Sequence, residues 1–147
     1  MLKEKFNQYS FVLDRTARRV KQYAQAAFIH NGIDLTVDQW SVIKILNEFQ
    51  NLSHKSLAEK CGKDQPTLTR IVDLLIKKEY VIRIQHPSDR RSQYLHLTEL
   101  GTNQVETLAP IVKDFRMRAW ENLTDEDFEN FTRILNTIYN NLETDNL

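Results

Sequence analysis

Apolar positions near the start of the chain recur in steps of three and four: Phe6, Tyr9, Leu13, Ala17, Val20, Ala24 and Ala27. No proline or glycine interrupts them from Phe6 to Phe28, so the spacing predicts a long amphipathic helix, stopped by Asn31-Gly32. Thr36-Val37-Asp38-Gln39 then has the form of a capping box, and Trp40, Ile43, Leu46 and Phe49 give the next helix its apolar face. Ser53 is placed to cap a short third helix, His54 to about Lys60, with Leu57 and Ala58 inward and Cys61-Gly62 as its close. Asp64 caps a fourth helix. Pro66 falls in its first turn, where a missing N–H costs nothing, and Leu68, Ile71, Val72 and Leu75 form its buried stripe.

After the fourth helix the apolar period shortens to two. YVIRIQ and QYLHL are β-branched and aromatic runs that predict a hairpin of strands Tyr80–Gln85 and Gln93–Leu97. The polar loop expected between them carries Asp89, Arg90 and Arg91 in succession. Thr98 is placed to cap a long fifth helix reaching about Asn122, which Pro110 is expected to kink or interrupt. Thr124 opens a sixth whose acidic first turn, Asp125-Glu126-Asp127, suits the positive end of a helix dipole. Phe128, Phe131, Leu135, Ile138 and Leu142 make it an a/d seam of the kind that packs helix on helix. The predicted fold is mainly α with a small β-hairpin wing, and residues 37–98 follow the order of a winged helix-turn-helix.

Composition narrows the setting. Three glycines and three prolines among 147 residues agree with long helices and few loops. One cysteine, Cys61, allows no internal disulfide and fits a reducing cytoplasm. No apolar run approaches the ~20 residues of a membrane span, and MLKEKFNQYS lacks the apolar core of a signal peptide. The formal net charge is zero, yet residues 54–98 hold nine Lys/Arg against five Asp/Glu. Residues 99–147 hold four against ten, so an acidic tail masks a basic middle.

Two stretches carry a resemblance. LSHKSLAEKCGKDQPTLTRIVDLLIKKEYVIR, followed by HPSDRRSQYLHLTELG, strongly resembles the MarR family of bacterial transcriptional regulators over Leu35 to Gly101. The Asp-x-Arg of the wing, Asp89 and Arg91, with Leu97-Thr98 downstream, is its most specific part. The resemblance implies a homodimer with residues 35–98 as the winged helix-turn-helix DNA-binding domain and residues 1–34 and 99–147 as dimerisation helices. It implies double-stranded DNA with a pseudo-palindromic operator as partner, a small-molecule effector that relieves repression, no cofactor and no membrane. The family usually has glycine where this chain has Glu79, so Glu79 is expected to bear a left-handed backbone or to end the helix differently.

Within that frame, the fourth helix turns Pro66, Thr69, Arg70, Asp73 and Lys77 outward, with Gln65 and Thr67 near its tip. Gln65 suits adenine, Arg70 suits guanine or phosphate, and Thr67 and Thr69 suit phosphate or a thymine methyl. The bland alternative is a solvated amphipathic face. In the wing, a carboxylate facing phosphate would repel it, so Asp89 is expected to grip a guanidinium and aim it into a narrow minor groove. The resemblance gives that part to Arg91 and leaves Arg90 for phosphate, whereas chemistry alone does not choose between them. Ser53, His54, Lys55, Ser56, Lys60 and Lys63 are candidate phosphate contacts, each equally explained as polar surface.

Other chemistry finds little support. The chain has no glycine-rich phosphate loop, no GxSxG and no HExxH, so no enzyme is expected. His30, His54, His86 and His96 are not at ligand spacing with Cys61, so no metal is expected. A lone cysteine beside Leu57 and Ala58 is expected to be a small hydrophobe. The alternatives are a winged-helix protein adaptor, or a redox-responsive regulator acting through Cys61.

Overall fold

The computed structural model describes residues 2–147, with side chains described for residues 5–145 and 147. Helices α1 (Leu2–His30), α2 (Val37–Phe49), α3 (His54–Cys61) and α4 (Gln65–Lys77) come first. The hairpin β1 (Val81–His86) and β2 (Asp89–Leu97) follows, and then α5 (Glu99–Met117) and α6 (Asp125–Asn141). The predicted caps are in place. Thr36 and Gln39 exchange both bonds of the capping box, at 3.0 and 3.1 Å. The Ser53 hydroxyl accepts from the Ser56 N–H at 3.1 Å, and the Asp64 carboxylate accepts from the Thr67 N–H at 2.7 Å.

Three helix ends close with the same pair of bonds. At Gly32, Gly62 and Glu79 the backbone turns left-handed, with φ of 67°, 65° and 65°. The residue after each sends its N–H back to the start of the last turn, as Tyr80 does to Leu75 at 3.0 Å. Glu79 is the position where a side chain is strained in this conformation, and a Cβ there costs about 1 kcal/mol. Glu79→Gly is therefore expected to be neutral or to stabilise by up to about 1 kcal/mol, glycine's own chain entropy offsetting part of the relief. A clear fall in the thermal midpoint would refute the strained cap.

The chain forms two compact units, one through Phe115 and one from Arg116 to Leu147. In the first, Phe28, Trp40, Ile43, Leu46, Leu57, Leu68, Leu75 and Leu95 are fully buried. Each such side chain stabilises by about 2 kcal/mol, so α4 is seated through its whole predicted stripe. Phe49 departs from expectation: it is exposed, and the Lys60 ammonium sits 4.0 Å from its ring centre. Where the α4–β1 corner meets the start of α5, the Thr98 hydroxyl donates to the Glu79 carbonyl at 2.6 Å, and the Thr98 N–H donates to the Tyr80 carbonyl at 3.0 Å. A Cβ on Gly101 would stand 2.2 Å from that same Tyr80 oxygen.

The hairpin is tighter than its sequence suggests. Val81 pairs with Leu97 and Arg83 with Leu95, and a bulge between Gln85 and His86 brings His86 opposite Asp89. Only Pro87 and Ser88 are left to turn, so Asp89, Arg90 and Arg91 begin β2 instead of lying in a loop. Leu52 adds a bridge to Leu95, a minimal third strand. Helix α5 runs through Pro110 without interruption but ends at Met117, short of the expected Asn122. A 3-10 turn, Arg118–Trp120, and a left-handed Asn122 follow.

In the second unit Thr124 caps α6 reciprocally with Asp127. Trp120 meets Phe128 and Phe131 edge-on, with ring centres 5.0 and 5.2 Å apart. The seam is nevertheless largely open: Phe128 and Phe131 are 51% and 47% exposed, Leu142 is exposed as well, and Leu135 and Ile138 are only partly covered.

Candidate nucleic-acid interface

Helix α4 presents its first turns to solvent. Gln65, Pro66 and Arg70 are exposed, and Thr67 and Thr69 are partly covered. Among the described residues, the side chains of Gln65 and Arg70 make no hydrogen bond or ion pair within the chain, so their donors are free. The Asp64 carboxyl is held below the ordinary carboxylate range by the hydrogen bonds from Thr67, which keeps the cap ionised.

In the wing, Asp89 does something other than grip a guanidinium. Its Oδ1 accepts from the Arg91 backbone N–H at 2.9 Å, and its Oδ2 accepts from the Ser92 hydroxyl at 3.0 Å. The Arg91 N–H bond, then the one from Ser92, hold its carboxyl below the usual range. The carboxylate thus pins the backbone that carries Arg91 and leaves the side chains of Arg90 and Arg91 exposed. A local carboxylate-to-backbone turn forms at lower entropic cost than a bond to a long, mobile guanidinium. His86 completes the turn by accepting from the Ser88 N–H at 3.1 Å, and its ring lies 4.5 Å from that of Tyr94.

The six candidate phosphate contacts divide. Lys55 is exposed, as is Lys60 above the Phe49 ring. Lys63 is not free: its ammonium donates to Asp38 at 3.0 Å, and Lys21 donates to the other carboxylate oxygen at 3.1 Å. Partial burial pushes the Asp38 carboxyl up, but the two lysines outweigh it and hold it below its ordinary value. The Ser53 hydroxyl is engaged by the Ser56 N–H and also donates to the Ser56 hydroxyl at 3.1 Å. His54 is half-buried, and burial, then the nearby Arg83, lower its pKa. Burial likewise pushes the Cys61 thiol up, against the reactive thiolate that a redox sensor needs.

Sequence reasoning missed Arg83. It shares a face of the hairpin with the core-facing Val81, Leu95 and Leu97, and its guanidinium donates to Asp73 of α4 at 2.7 Å. The signal was a cation on the inward alternation of β1, but its partner lies on another element.

An exposed helix tip beside a hairpin whose two arginines are unpaired among the described residues defines a winged helix-turn-helix protein. A sequence model of the MarR family matches residues 35–93. The HTH-type transcriptional repressor IacR of Pseudomonas putida is 29% identical over 112 residues, covering 76% of this chain and 67% of its own. The HTH-type transcriptional regulator SarZ of Staphylococcus haemolyticus is 35% identical over 106 residues, covering 71% of this chain and 70% of its own. A mutant MarR from Escherichia coli, solved in complex with operator DNA, has a TM-score of 0.81 at 20% identity over 94% of this chain and 98% of its own. The chain belongs to the MarR family, and the relatives named above are transcriptional regulators.

Proposed function

We propose that the protein is a dimeric, sequence-specific DNA-binding regulator of the cytoplasm that represses its genes and is released by a small-molecule ligand. One juxtaposition carries the reading. The free side chains of Gln65 and Arg70 on α4 and of Arg90 and Arg91 on the wing belong to one lobe, as a groove-reading helix and its flanking arm require. Two adjacent arginines at a hairpin tip suit a narrow minor groove and its phosphates, which favours DNA over a wing that only docks protein. The operator complex of the similarly folded MarR, and the repressor named among the relatives, support the same reading.

Residues 35–98 bind DNA in this scheme, and residues 1–34 and 99–147 supply the dimer base. Phe6, Tyr9, Phe11 and Val20 on α1 are exposed, as is the α6 seam, and a second copy is the occupant that covers such faces. Two lobes reading half-sites about one helical turn apart multiply specificity without new chemistry. A ligand that prefers the state with misplaced α4 helices then lowers affinity by that preference alone.

Band-shift titration of promoter fragments at two salt concentrations tests this. We expect one fragment to bind tightly and to lose about 10³-fold in affinity between 50 and 200 mM salt. Sedimentation is expected to give twice the 17.4 kDa chain mass. A monomer that binds no duplex would overturn the proposal.

A further inference from the structure

The wing is held at its base by core packing of Val81 and Leu97 and by the His96 ring, whose Nδ1 lies 3.1 Å from the Asn51 amide oxygen, and one rung further out by two more bonds. On β2, the Leu95 N–H donates to the Leu52 carbonyl at 2.8 Å. On β1, Arg83, the residue paired with Leu95, donates to Asp73 at 2.7 Å. Among the described residues, no hydrogen bond or ion pair from residues 84–94 reaches any helix. The geometry points to Asp73 as a positioning residue that acts through Arg83, locking the wing to α4 so that helix and wing meet DNA as one rigid piece. This inference rests on the DNA-binding reading above.

Two observations support it. Asp73 follows Thr69 and Arg70 on the outward face of α4 and is 53% exposed, where a carboxylate disfavours phosphate unless it has other work. Leverage supplies that work. Arg91 lies four residues beyond Leu95, about 14 Å at strand spacing, so a swing of about 10° at the rung moves it about 2.4 Å. Productive contacts tolerate about 0.5 Å. A two-stranded hairpin is marginal on its own, so its angle depends on what holds its base to the body, the Arg83–Asp73 bond among these.

The sign of one substitution separates positioning from charge. Asp73→Asn removes a negative charge from the DNA-facing helix, and electrostatics alone predicts tighter binding. Positioning predicts the reverse: about three- to tenfold weaker binding to the fragment that the wild type selects. Because the effect runs through the wing, it is expected to vanish in an Arg91→Ala background. Affinity equal to or above wild type, or an equal loss in both backgrounds, would overturn the inference. Hydrogen exchange on the DNA-free protein reads the tether separately. Asp73→Asn is expected to speed exchange about threefold in residues 82–96 while the thermal midpoint holds, and unchanged exchange would overturn it too. A wild type that ignores every duplex removes the proposed function, while the exchange result still decides whether the tether exists.

Discussion

Gly101→Ala is expected to destabilise the protein by about 3 kcal/mol, read as a lower denaturation midpoint at unchanged slope. Alanine is ordinarily the better helix residue by about 1 kcal/mol, so propensity alone predicts the opposite sign. Steric conflict decides. The new methyl would lie 2.2 Å from the Tyr80 carbonyl oxygen, 3.1 Å from its carbon and 3.2 Å from a Leu97 methyl. The oxygen has nowhere to retreat, since it accepts the Thr98 N–H and follows the left-handed Glu79. Relief requires α5 to lift from the corner, breaking the bond from the Thr98 hydroxyl to Glu79 as well. A midpoint equal to or above wild type would show that α5 does not approach the corner this closely.

Arg91→Ala is expected to weaken operator binding at least tenfold, because an arginine seated on a base edge is worth about 1–3 kcal/mol and a dimer carries two. Arg90→Ala is expected to act mainly on the salt dependence, reducing its slope by about one for each phosphate no longer neutralised. Fluorescence anisotropy on one labelled fragment measures both, and unaltered affinity in the Arg91 variant would remove the wing from the mechanism. Asp89 enters indirectly. Its anionic form is favoured in the fold by the bonds from the Arg91 N–H and Ser92, so those bonds are intact at neutral pH. They disappear only as pH falls through its depressed pKa, below the ordinary carboxylate range. The part of the wing's affinity that runs through Asp89 is thus expected to be flat from about pH 6 to 8.

What is legible in the sequence is local. Thr36 with Gln39, Ser53, Asp64 and Gly62 each act on residues within four positions, and the stripe Leu68, Ile71, Val72 and Leu75 needs only the helical period. The sequence offers Asp89 a guanidinium as its partner, but the carboxylate meets the Arg91 backbone N–H and the Ser92 hydroxyl instead. The carboxylate takes the backbone of that arginine, because a residue two positions on arrives already ordered. The apolar Trp120 prolongs the fifth-helix pattern past Met117, where the chain leaves it. Lys63 and Arg83 look like free cations until the fold brings Asp38 and Asp73 to them across 25 and 10 residues. Gly101 shows a requirement for glycine only once Tyr80 is laid against it.

The grip on α4 from both ends has a consequence for regulation. Near its beginning, Lys63 is leashed to Asp38, which also holds Lys21 of α1. At its far end, Lys78 reaches the Asp34 carbonyl and carboxylate, and Thr98 fastens the corner to α5. These ties, with the corner bond, couple a turn of α4 to α1 and α5. A signal arriving at either helix is thus expected to reach α4 as a shift shared by the lobe.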